Sequence, residues 1–166
     1  VGSEMCIRDR LSIPPSISYL ITEIGMNHKG EIAPLSCLVK PNIAIITKIS
    51  ESHIGQLRSL KEVANEKASI CAGISVNGCI ILPRDDEQYS ILEKAAIEAK
   101  INNIISFGRN SESTIQLISS YVKQTHGSTT KRIISFKILN KTYEISIGMR
   151  AEHWATNALS VIAACY

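Results

Sequence analysis

Several things are scarce or missing in this 166-residue chain, and each absence excludes something. Aromatic residues make up only 5%. No run of about 18 consecutive apolar residues occurs, so no transmembrane helix and no membrane insertion is expected. Lys and Arg, 18 together, are scattered, and the formal net charge is only +3. That argues against a nucleic-acid partner. The five cysteines are Cys6, Cys37, Cys71, Cys79 and Cys165, and no two form a C-x-x-C pair. An odd count without a framework speaks against disulfides and cysteine-held metal, and for a reducing cytoplasm. No stretch reads as a secretory signal, and no G-x-x-x-x-G-K-[ST] phosphate loop is present.

What is there is apolar and regularly punctuated. Hydrophobic residues make up 45% of the chain, enough for one domain with a single core. The first residues, Val1 to Arg10, show neither helical nor strand periodicity and run into Pro14-Pro15. Residues 1–17 are therefore expected to be a non-native or disordered segment. Ser18 to Gly25 reads as a strand, and Glu31 to Val39 as a helix ended by Lys40-Pro41. Asn42 to Ser50 reads as a second strand. Ser59 caps a helix, with Glu62 three residues on as a capping box. Gly78 to Leu82 is a third strand. Asp86 opens a helix with Ile91, Leu92, Ala95, Ala96 and Ala99 at helical spacing, and Asn103 to Phe107 is a fourth strand.

Strands alternating with helices predict an α/β fold, a mostly parallel sheet flanked by helices on both faces. The rhythm then changes. Thr114 to Val122, Arg132 to Leu139 and Thr142 to Ile147 read as consecutive strands, with Asn140-Lys141 as a tight hairpin loop. They predict a small appended antiparallel sheet. A helix is expected from Ala151 on.

Three spots carry chemistry. Glu23 ends an apolar strand just before Asn27, His28 and Gly30, where open α/β sheets bind ligands. A carboxylate there is either partly solvated or satisfied by a cation. His53 follows the second strand, as a solvated side chain or a ligand. Lys67 sits among Val63, Ala64, Ile70 and Cys71. It either snorkels to the surface or loses charge to desolvation.

Taken in order, EIGMNHKGEI, NIAIITKISESH, SLKEVANEKASI and HWATNALSVIAA resemble the central domain of the Mur ligases. The similarity runs from about Ser18 to the end of the chain and is greatest to the branch that adds D-alanyl-D-alanine. It implies a P-loop NTPase-like fold, with residues 18–166 as part of a central ATP-binding domain. It also implies that the missing phosphate loop belongs just upstream of Glu23. The implied cofactors are ATP and Mg2+, with Glu23, His53 and Lys67 serving the metals. Lys67 would act as a carbamate, and Lys67 and His53 would be the catalytic pair. Asn27 and His28 would lie near the triphosphate, and His153 and Asn157 beside the nucleotide.

The resemblance further implies a cytoplasmic, monomeric parent enzyme of peptidoglycan synthesis. That enzyme would join D-alanyl-D-alanine to UDP-N-acetylmuramoyl-tripeptide through an acyl phosphate, and these 166 residues alone are expected to be inactive. Pro83, Lys48, Gly55 and Ser69 depart from residues common in the family, which bears on adenine contacts and metal geometry. Two other readings stay open. One is another Mur-type or folylpolyglutamate-type amide ligase. The other is a non-catalytic α/β binding module.

Overall fold

The computed structural model describes residues 16–50, 59–124 and 130–166. The segment before Ser16 and the positions of His53 and Gly55 lie outside them. Helix α1 (Ile32–Val39) is followed by strand β1 (Ile43–Ile45), and helix α2 (Leu60–Ala68) runs on into a 3-10 turn (Ser69–Gly73). Strand β2 (Cys79–Pro83), helix α3 (Tyr89–Glu98) and strand β3 (Asn103–Gly108) come next. Strands β4 (Ile115–Gln124), β5 (Thr130–Ile138) and β6 (Lys141–Ile147) then run consecutively into helix α4 (His153–Cys165). No helix of the described residues is long and apolar enough to cross a membrane.

All six strands form one sheet in the order β1-β2-β3-β4-β5-β6. Pairing is parallel from β1 to β4 and antiparallel from β4 to β6. The antiparallel strands are thus appended as predicted, but through β4 and within the same sheet. Only two residue pairs, Phe107 with Ile115 and Gly108 with Gln116, join β3 to β4.

Side-chain alternation in the parallel strands feeds two cores, because successive residues of a strand point to opposite faces. Ala44, Ile80 and Leu82 pack with Ile32, Val63, Ala64, Leu92 and Ala96, the inward faces of α1, α2 and α3. Ile81, Phe107, Ile115, Ile134 and Phe136 pack with Ala155, Leu159 and Ala163 of α4 on the other face. At about 25 cal/mol per Å2, burying a side chain such as Leu92 or Leu159 contributes roughly 1.5–3 kcal/mol. Both leucines are fully buried.

Ser59 caps its helix as predicted: Ser59 Oγ accepts from the Glu62 amide at 3.2 Å. Three readings need correction. Ser18 to Gly25 forms no strand. Ile24 packs against the core, but Tyr19, Leu20 and Ile21 are open to solvent, Ile21 at 95% exposure, and no described strand lies alongside to complete a ladder. The second strand is shorter than expected. Ile46 still donates to the Ile81 carbonyl at 3.0 Å, but by Ile49 the backbone amide has turned to the Asp86 carboxylate. The hairpin loop is Leu139-Asn140 rather than Asn140-Lys141, since both of those residues have positive φ, 45° and 65°, as a type I′ turn requires.

Candidate active site

The loop between Met26 and α1 is stitched from two sides. Glu31 Oε2 accepts from the amides of Asn27 and His28 at 2.7 and 3.2 Å, and its Oε1 lies 3.1 Å from His28 Nδ1. The Asn27 amide, and after it the His28 amide, hold the Glu31 carboxyl below its ordinary value. Glu31 is spent on the loop and does not cap the helix it precedes. That task falls to Glu66 of α2. Its Oε1 accepts from the Ile32 amide at 3.1 Å and its Oε2 from the Gly30 amide at 2.9 Å. A carboxylate at a helix N-terminus meets both the unpaired amides and the positive end of the helix dipole. Glu66 is buried, at 6% exposure.

One residue further along α2, Lys67 Nζ donates to the Lys48 carbonyl at 2.7 Å. Desolvation lowers the lysine's pKa, and the nearby Asp86 carboxylate opposes that shift in part. Asp86 itself turns the chain beyond β2. Its Oδ2 accepts from the Ile49 amide at 2.8 Å and its Oδ1 from the Gln88 amide at 3.0 Å. It therefore stands ahead of α3, whose cap is Gln88, and ties the segments beyond β1 and β2 together.

The carboxyl end of β3 is held in the same way. Asp85 accepts from the amides of Arg109 at 2.6 Å and Asn110 at 2.8 Å. It fits because Gly108, with φ +151°, has no Cβ; one built there would stand 2.6 Å from the carboxyl group. Arg109 reaches across to Glu152 at 2.5 Å, which sets the start of α4 beside this edge. The strand-end residues Lys48, Asp85, Asp86 and Arg109 thus line the carboxyl edge of the parallel strands, where such sheets hold ligands. The cavity of about 220 Å3 lined by Cys71, Gly78, Lys100 and Ile101 opens at the opposite edge, ahead of β2 and β3, and plays no part here.

The predicted residues distribute unevenly. Lys67 is at the edge and half-buried. Asn27 and His28 sit on the loop that Glu66 binds to the helix of Lys67, so these three belong to one hydrogen-bonded unit. Glu23 is exposed, in chain without strand structure. His153 is exposed on the first turn of α4 with Asn157 half-buried one turn on, reached through Glu152 and Arg109 from the other face. His53 lies outside the described residues. Among the described residues, no three His, Cys, Asp or Glu side chains are grouped so as to hold a metal. Of the departures, Lys48 contributes its carbonyl, Ser69 Oγ donates to the Glu66 carbonyl at 2.6 Å, and Pro83 is buried opposite Phe107.

Glu66, Asp85, Asp86 and Arg109 were not singled out as site residues from the sequence. The signal for Glu66 was available: Val63, Glu66 and Ile70 are spaced three and four apart, which puts a carboxylate on the core-facing side of a helix.

Fold and edge together define an α/β domain with polar side chains gathered at the carboxyl ends of its parallel strands. The profile of the Mur ligase middle domain matches residues 10–165, and the chain belongs to that family. The match begins inside the segment 1–17. The chain is 34% identical over 153 residues to a UDP-N-acetylmuramoyl-tripeptide–D-alanyl-D-alanine ligase of Rickettsia prowazekii (strain Madrid E). The aligned part is 91% of this chain and 32% of that relative, so the chain spans about one third of its length. In fold it is similar to MurF from Acinetobacter baumannii, with TM-score 0.84, 21% identity and coverage of 96% of this chain and 33% of that one. It is also similar to MurF ligase from Thermotoga maritima in complex with ADP, with TM-score 0.72, 17% identity and coverage of 87% and 32%.

Proposed function

We propose that this chain is the ATP-handling part of a cytoplasmic, monomeric ligase that joins D-alanyl-D-alanine to UDP-N-acetylmuramoyl-tripeptide in peptidoglycan synthesis. The observation that carries this reading is Lys67, a half-buried lysine at the carboxyl edge whose charged form is disfavoured, in a chain of this family. A neutral amine can add carbon dioxide to form a carbamate, which turns an interior cation into an anion. The name of the Rickettsia relative favours this ligase over a folylpolyglutamate-type enzyme or a binding module.

In this reading a tripeptide carboxylate oxygen attacks the γ-phosphorus of ATP. An O–P bond forms, the β–γ bridging bond breaks, and ADP leaves. The amine of D-alanyl-D-alanine then attacks the acyl carbon. A C–N bond forms, the C–O bond to phosphate breaks, and the nitrogen gives up a proton. Charge neutralisation and positioning supply most of such catalysis.

The residues fit a hard dication in kind, since Glu23 is an exposed carboxylate and Lys67 an amine whose charge burial disfavours. Glu23, His53 and the Lys67 carbamate would hold magnesium, which neutralises charge on phosphoryl oxygens when bound. Asn27 and His28 would face the triphosphate. His153 and Asn157, at the start of α4, would flank the nucleotide.

The test uses the intact polypeptide that contains this domain. With magnesium, ATP, UDP-N-acetylmuramoyl-tripeptide and D-alanyl-D-alanine, phosphate release should require both substrates, and mass spectrometry should find the pentapeptide product. Phosphate release without an amide product, or a product with glutamate added to a folate, would sink the reading.

A further inference from the structure

We propose that Glu66 is a positioning residue, whose carboxylate holds the loop of Asn27 and His28 in fixed register with Lys67. This rests on the reading of the chain as an ATP-handling domain. Both oxygens of Glu66 are committed to backbone amides that lie 36 and 34 residues away in sequence, those of Gly30 and Ile32. A buried carboxylate is disfavoured unless such donors satisfy it. With both oxygens so used, Glu66 acts through the loop rather than on substrate.

The arrangement is more than a helix cap. Capping α1 would need only the Ile32 amide, which belongs to the first turn. The second bond goes to Gly30, in the loop itself, where φ is +88° and the chain turns. Glu31 binds the same loop from within, through the Asn27 and His28 amides, so the two glutamates together fix four consecutive or near-consecutive peptide groups. Because Lys67 follows Glu66 directly on α2, any shift of the loop relative to Glu66 is a shift relative to Lys67. Ser69 Oγ, donating to the Glu66 carbonyl, closes the turn on the other side of Lys67.

Glu66→Gln tests this in the intact polypeptide, because a glutamine offers one accepting oxygen in place of two and turns an N–H toward the other amide. In the wild type, hydrogen exchange should find the Gly30 and Ile32 amides protected. In Glu66→Gln at least one should exchange faster, with kcat falling about 10- to 100-fold, the scale of a misplacement near 1 Å. The ATP KM should change far less, and the melting temperature should not account for the loss.

Unprotected amides in the wild type overturn the proposal, whatever the variant does. So does a Glu66→Gln protein with unchanged kcat, or one whose lost activity matches its lost folded fraction. If the wild type makes no amide product at all, the ligase reading fails. Glu66 is then judged on exchange alone, and equal rates in the two proteins would overturn it.

Discussion

Lys67 Nζ donates to the main-chain carbonyl of Lys48 across 2.7 Å, linking α2 to the segment that leaves β1. The acceptor is a neutral carbonyl. A charge that favours the ammonium is that of Asp86, whose carboxylate is already occupied by two backbone amides. Desolvation therefore dominates, and the lysine's pKa is lowered.

The first prediction follows from that environment. The intact polypeptide incubated with 13C-labelled bicarbonate should show a carbamate carbon resonance that is lost in Lys67→Arg, since a guanidinium does not carbamylate. The same variant should lose on the order of 100- to 1,000-fold in kcat, the usual scale for removing one group that stabilises developing charge. An arginine variant with near-normal turnover would show that the carbamate is not used. Chelation of magnesium should abolish turnover and be reversed by adding it back.

Gly108→Ala should destabilise the fold. The residue would have to adopt φ +151° and place a methyl group against the Asp85 carboxyl. Relief requires the carboxylate to withdraw from the Arg109 and Asn110 amides. A loss of about 1–3 kcal/mol is expected from the strained backbone, read by chemical denaturation. An unchanged midpoint would mean that the carboxyl end of β3 is looser than its hydrogen bonds suggest.

Burial pushes the Cys71 thiol up to about 11 from 9.0. The folded state therefore keeps its proton where the unfolded chain has lost it. Such a group contributes stability that is complete below pH 9 and lost as pH rises from 9 toward 11. Cys71→Ala should flatten that part of the stability curve relative to wild type, a difference that removes the contribution of other titrating groups. At pH 8, alkylation followed by peptide mass spectrometry should label the exposed Cys37 and Cys165 and spare Cys71. Labelling of Cys71 at a comparable rate would refute its burial.

Leu139→Asn should stabilise the protein. Leu139 holds φ 45° at the first central position of the β5–β6 turn, with its side chain 73% exposed. A leucine gains nothing there from packing and suffers the left-handed strain, whereas asparagine tolerates it. A gain of about 0.5–1 kcal/mol, as a raised denaturation midpoint, is expected.

Much was legible in the sequence because it depends on neighbours in the chain. Sequence pattern and punctuation located all four helices and all six strands, and Ser59 marked a helix start through a bond spanning three residues. The EIGMNHKGEI and NEKAS segments pointed to the family and to Lys67. Position in the chain could not say that Ser18 to Gly25 would stay out of the sheet, because a strand exists only where another strand completes its hydrogen bonds, and its own apolar pattern is the same either way.

The sequence by itself determined the alternation of elements and the family, and it singled out Lys67. Only the tertiary structure decided what surrounds that lysine and what holds the loop beside it. Glu66 reads locally as one more helix-favouring residue. It becomes a clamp only when folding buries it against the amides of Gly30 and Ile32, more than thirty residues away, where water no longer competes for its oxygens.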